Sequence, residues 1–240
     1  MSFVSACCNT APVQAEYTAT GETTEQNGFK YYTVGDKGAS QGVVFCYDIF
    51  GFHPHAYQIA DKISQAGLRV IVPDFLEGNP LTMAALSDPA VFGDFKARRA
   101  TWEYNREMFK AAVSVLQNEG AANIGAVGFC WGAKLAICAL GEDCGIKSVS
   151  LVHPSMMELK DFEQAQGPVL LLTSKDDPEL NDEFALVKAK PFGKLSYQER
   201  FNDRIHGFCA ARGDFADPEV ARDVNRVVQL TAGFFKESLA

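Results

Sequence analysis

At 240 residues, 47% apolar and 22% charged, the sequence is long enough for one substantial core and ordinary in composition for a globular protein. A net charge of −8 and a pI near 5.0, with no basic run anywhere, exclude nucleic acid and an anionic membrane surface as expected partners. No apolar stretch approaches a membrane span and the first residues carry no basic, apolar leader, so a cytoplasmic protein is expected.

Residues 1–27 are polar, rich in Thr, Ala and Glu, and without a clear period. They predict an extended N-terminal arm ahead of a single domain over 28–240. FKYYTVG reads as a strand with exposed alternation, and QGVVFCYDIFG as a buried strand running to about Tyr47. A helix is predicted from Pro54 to Ala66, ended by Gly67, and LRVIVPDF gives a buried strand stopping at Pro73. Residues 75–97 contain Gly78, Pro80, Pro89 and Gly93, so only short helices are expected there.

A strong helix follows over roughly 98–118, with Trp102, Phe109, Val113 and Leu116 on one face. NIGAVGF predicts a short strand, Trp131 to Leu140 a helix, and KSVSLVH and GPVLLLTS two more strands. A helix around Glu179 to Ala189, a strand near LSYQERF and a last helix from Pro218 to Ser238 complete the chain. Strands alternating with helices imply an α/β fold, with a mostly parallel central sheet and helices on both faces.

Seven cysteines fall at 7, 8, 46, 130, 138, 144 and 209. The odd count, and the apolar runs in or beside which Cys46, Cys130 and Cys138 lie, point to a reducing compartment rather than a disulfide framework. Cys7 and Cys8 read as part of a solvated tail.

NIGAVGFCWGAKLAICAL is an apolar strand, a tight turn and an apolar helix, with Cys130 at the turn. A nucleophile elbow needs small residues on both sides of a strained nucleophile, and Gly128 and Gly132 supply them. The turn sets the sulfur near a helix N-terminus, which favours thiolate, and aims the amide of Trp131 at an oxyanion on a bound acyl group. A thiol nucleophile needs a base, and the base an orienting acid. In the chain order nucleophile, acid, histidine, His206 falls in a loop between the last strand and the last helix. Asp176 and Asp177 follow the preceding strand.

With these residues in place the chain resembles the dienelactone hydrolase family, including its carboxymethylenebutenolidase-like members. YDIFGF at 47–52, VIVPDFLEG, GFCWGAK at 128–134, the SKDDP turn and HGF at 206–208 carry the resemblance, which spans nearly everything from residue 40 on. It implies an α/β-hydrolase fold, a cysteine-dependent hydrolase of ester or lactone bonds, and an acyl-cysteine intermediate. It also implies catalysis by Cys130, His206 and, counting from Pro168, Asp177 instead of Asp176. The amides of Ile49 and Trp131 become the oxyanion hole. Asp48 stands where prototypical members have a glutamate that controls the cysteine's resting state, which makes it the candidate gating carboxylate. The prototype binds its substrate carboxylate with arginines, for which Arg98, Arg99 and Arg212 are the candidates here. Ala210 stands where one of those arginines is found in the prototype, a departure that bears on dienelactone itself as substrate.

His53 and His153 follow or end strands and are candidate substrate-binding residues, as is Phe208, which together with Trp131 is a candidate pocket wall. His53-Pro-His55 lacks a third ligand at a sensible spacing, so no metal is expected. No phosphate loop or dinucleotide fingerprint occurs, so no cofactor is expected. The expected partner is a small ester or lactone, with the chain a monomer or weak homodimer. Two rival readings are a catalytically silent ligand- or partner-binding relative and a redox-responsive thiol protein.

Overall fold

The structure, a computed structural model, describes residues 10–240, so Cys7, Cys8 and the start of the arm lie outside the described residues. Among the described residues, eight strands form one sheet: β1 (Glu22–Gln26), β2 (Phe29–Val34), β3 (Gln41–Cys46), β4 (Arg69–Pro73), β5 (Asn123–Phe129), β6 (Ile146–Val152), β7 (Val169–Ser174) and β8 (Tyr197–Phe201). Their order is β1-β2-β4-β3-β5-β6-β7-β8. From β4 to β8 every pairing is parallel, while β2 runs antiparallel to both β1 and β4. Every position of β3, β4 and β7 is buried, which is why these segments read as unbroken apolar runs: helices cover both faces.

On one face, α1 (Pro54–Ser64) packs against α8 (Pro218–Ser238). On the other, α4 (Trp102–Asn118), α5 (Trp131–Gly141) and α6 (Leu159–Gln164) pack side by side. Helix α5 is enclosed by β3, β5, β6 and its helical neighbours, so its sequence is apolar nearly all round instead of amphipathic. Its Lys134 is buried and neutralised by Asp161 at 2.6 Å and Glu158 at 2.9 Å. Short helices α2 (Met83–Ser87) and α3 (Pro89–Asp94) lie in the middle segment, and α7 (Asn181–Lys188) follows β7. None of the helices among the described residues is long and apolar enough to cross a membrane.

Four expectations need correction. The exposed alternation expected of FKYYTVG is absent: Tyr31 to Val34 are all buried, because β2 is paired on both sides and covered. Residues Glu22–Gln26 of the predicted arm are a strand, paired to β2 through Asn27 and Gly28, both with positive φ (53° and 77°). That is the two-residue hairpin turn that Asn-Gly favours; β1 showed no alternation because it is an edge strand exposed on both sides. The helix expected from 98 begins at Trp102, because Phe95–Arg99 is a π-helical turn and Thr101 caps the new helix by accepting from the Tyr104 amide. Helix α6 was not expected; six residues give too little periodicity, and a reciprocal cap between Glu158 and Asp161 fixes its start.

The parallel strands β3, β5, β6, β7 and β8 all end at one edge of the sheet. Asp48, Cys130, His153, Asp177 and His206 therefore enter the same region from the segments that follow these five strands, the usual place for a site in such a sheet.

Candidate active site

Cys130 joins β5 to α5 with φ 53° and ψ −118°, outside every basin a side-chain-bearing residue favours. Such strain costs on the order of 1–3 kcal/mol and persists only where the surroundings enforce it. They do: its N–H donates to the Val152 carbonyl at 3.1 Å, and its carbonyl accepts from Ser155 at 3.0 Å and Ala133 at 3.2 Å. The flanking glycines are required by contact. A Cβ on Gly128 would lie 2.3 Å from the Gly132 carbonyl oxygen, and one on Gly132 would lie 2.2 Å from that of Cys46. The second close approach seats the first turn of α5 against the carbonyls of Cys46 and Tyr47 at the end of β3. Trp131 and Ile49 are both fully buried. The Trp131 indole donates to the Ala100 carbonyl at 2.9 Å, and Phe95 of the π-helical turn packs edge-on against its ring.

The two aspartates after β7 take different partners. Asp177 Oδ1 lies 2.5 Å from His206 Nδ1, and its Oδ2 accepts from the Ser174 amide at 2.6 Å. Asp176 reaches the same histidine's backbone, accepting from the His206 N–H at 3.0 Å. Arg200 ties the turn from below by donating to the carbonyls of Lys175 and Asp177. His206 and the carboxyl of Asp177 are shielded from water, which strengthens their mutual interaction.

Asp48 is buried and its carboxylate is occupied. Oδ1 accepts from the Phe50 amide at 2.9 Å and Oδ2 from the Ala211 amide at 3.3 Å, so it pins the loop of Ile49 to the loop of His206. Burial raises its pKa, opposed by those two amides and by the charges of Arg212 and His53. Arg212 is also buried; it lies over the Phe50 ring and donates to the Thr10 carbonyl at 2.6 Å. His53 Nε2 lies 3.0 Å from the Val13 carbonyl, and the Val13 amide donates to Ala211 at 2.9 Å. The arm thus runs across both loops. The sequence carried no sign of this, because the contacts are made largely by backbone groups, whatever the side chains of the arm.

The remaining candidates divide. His153 and Phe208 are buried beside His206 and touch each other's rings. Arg98 is exposed and paired with Asp94, and Arg99 donates to the Leu76 carbonyl, so neither is brought to Cys130 by any contact of its guanidinium seen here. His55 bonds to the Ala210 carbonyl and stacks on Phe215. Among the described residues no cluster of three His, Cys, Asp or Glu side chains is placed to hold a metal.

Comparison with known proteins bears on the family and the fold. The model of the dienelactone hydrolase family matches residues 29–239. An uncharacterized AIM2 family protein of Schizosaccharomyces pombe is 33% identical over 97% of this chain and 99% of its own length. A human carboxymethylenebutenolidase homolog is 27% identical over 85% of both chains. Among solved structures, a dienelactone hydrolase-like promiscuous phosphotriesterase from metagenomic libraries superposes with a TM-score of 0.70 at 19% identity, over 92% of this chain and 99% of the other. That likeness speaks to the fold.

Proposed function

The chain belongs to the dienelactone hydrolase family, and from that premise we propose that it hydrolyses ester or lactone bonds through Cys130, with His206 as base and Asp177 as orienting acid. The observation that carries the proposal is the strained Cys130 at the α5 N-terminus, at the same sheet edge as a buried His206–Asp177 pair. Asp177 fixes Nδ1, which leaves proton transfer to the other ring nitrogen. The proton of the thiol passes to His206 and the sulfur attacks the carbonyl carbon. The amides of Ile49 and Trp131 receive the negative charge that develops on oxygen. The leaving oxygen takes the proton back from His206, and an acyl-cysteine remains. Water then gives a proton to His206 and attacks the thioester; the acid departs and the thiolate is restored.

Thiolate is itself a good leaving group, so substrates whose leaving oxygen is stabilised, such as enol-type lactones and aryl esters, are preferred over alkyl esters. The amides on both oxygens of Asp48 favour a role in holding the two loops together over one in gating the thiol. We place the protein in the cytoplasm, where Cys46, Cys138, Cys144 and Cys209 remain thiols, as a monomer or weak homodimer acting on a small molecule.

The test is intact-protein mass after rapid mixing with p-nitrophenyl acetate. The native protein should show a transient acetyl adduct that maps to Cys130, with a burst of nitrophenolate. Cys130→Ala should show neither. Equal slow hydrolysis in both proteins, without an adduct, would reject the nucleophile.

A further inference from the structure

His153 directly follows β6, the strand between the one that leads to Cys130 and the one that leads to Asp177. Its ring is fully buried between Phe129 and Phe208, with each centroid 5.9 Å away, and meets the His206 ring edge-on at 5.1 Å. A phenylalanine would fill such a slot as well. The imidazole instead leaves both ring nitrogens buried with no hydrogen-bond partner among the described residues, where nearly all buried polar atoms find one. The carbonyls of Cys209 and of His153 itself lie close enough to favour the protonated ring, but without hydrogen-bond geometry to either nitrogen. The backbone is left-handed there too, with φ 36°. Two costs therefore meet at one residue, directly against the proposed base.

We propose that His153 is a positioning residue for the proton transfer from Cys130 to His206: a neutral polar ring that stabilises the imidazolium and so raises the share of Cys130 held as thiolate. This rests on reading Cys130 and His206 as nucleophile and base. When the proton leaves the Cys130 sulfur for His206, positive charge appears where water does not reach. Asp177 meets that charge at Nδ1, and the dipole of His153 meets it across the rings, where a phenylalanine would offer no nitrogen. His153 itself gains no proton, because burial first and the neighbouring His206 second hold its pKa down to about 3. Two cationic rings therefore never face each other near neutral pH. The titratable groups around the pair are Cys130 from the elbow, Asp176 and Asp177 from the β7 turn, Asp48 from the β3 loop, and Cys209 and Arg212 from the loop of His206. None is altered in the test.

The experiment is alkylation of Cys130 by iodoacetamide across the neutral pH range, quantified by peptide mass mapping, in native protein, His153→Phe and His153→Gln. The Phe variant keeps a ring and loses the polarity; the Gln variant keeps a neutral polar group and loses the ring. Both meet the same left-handed backbone, so strain does not separate them. The Phe variant should alkylate Cys130 about tenfold more slowly at neutral pH, the equivalent of about one pKa unit, and the Gln variant should stay within about threefold of native. The reverse order would show that His153 only packs, and equal rates or an equal loss in both variants would overturn the proposal as well. Should the Phe variant not fold, His153→Met removes the same polarity and is judged by the same comparison. Acetylation of native Cys130 by p-nitrophenyl acetate is measured alongside. Its absence would remove the hydrolase reading while the alkylation rates still judge His153.

Discussion

Asp176 and Asp177 are adjacent and chemically identical, yet one holds a backbone N–H and the other a ring nitrogen of the same histidine. They therefore separate the two ways a carboxylate can serve a base. Asp177→Asn puts an amide against Nδ1, where it can stabilise the wrong tautomer and no longer offsets the imidazolium. A comparable change in a serine triad costs about 10⁴-fold, so a loss in kcat of about 10³–10⁴-fold is expected with p-nitrophenyl acetate. Asp176→Asn retains an oxygen that can accept from the His206 amide and loses only the charge assistance. One weakened hydrogen bond of about 1 kcal/mol corresponds to less than about tenfold. Steady-state rates of the two variants decide the matter, and the opposite ranking would transfer the acid's role to Asp176.

At the scale of elements, what could be read in advance was whatever leaves a pattern in residue types. Strands β3, β4 and β7 are enclosed on both faces and read as apolar runs. Helix α8 buries Val224, Val227, Thr231, Phe234 and Phe235 at helical spacing. The elbow was legible because Gly128 and Gly132 have contact reasons to lack a side chain. What escaped depends on neighbours distant in the chain or on hydrogen-bond register. The π-helical turn has no composition of its own, and the packing of His153 on His206 needs two strand ends that the sequence does not bring together. The arm is the clearest case, because Val13 and Thr10 act largely through backbone groups that any residue but proline would supply. Tyr17 and Thr20 anchor its far end on the buried carboxylate of Asp61, so a local change at Val13 leaves the rest of the arm in place. Val13→Pro removes the N–H given to Ala211. Losing one hydrogen bond worth about 0.5–1.5 kcal/mol should speed amide exchange in the loop of His206 by up to about tenfold, while global unfolding changes little. Exchange measured by mass spectrometry reports on both, and an unchanged loop would mean that the arm rests on the His206 loop without restraining it.

At the scale of the whole molecule, burying the site has a consequence for folding stability as well as for chemistry. A protein of net charge −8 gains some relief from self-repulsion as pH falls. The buried carboxyls of Asp48 and Asp161, both with raised pKa values, act in the same direction, since the folded state takes up their protons first. His153 opposes them. Its pKa is about 3 in the folded chain and about 6.5 in an unfolded one, so between those values the unfolded state binds the extra proton. Stability therefore rises with pH through that window and is lost on acidification below about 6.5. At pH 4.5 the loss due to His153 is on the order of 3 kcal/mol, taking 1.36 kcal/mol per unit. His153→Gln cannot take up that proton, yet it keeps Asp48, Asp161 and the rest of the charge. Urea unfolding of both proteins at pH 7.5 and pH 4.5 should thus show the native chain losing on the order of 3 kcal/mol more than the variant between the two conditions. Parallel losses would mean that the ring takes up its proton within the fold, where the imidazole could not remain a neutral neighbour for His206.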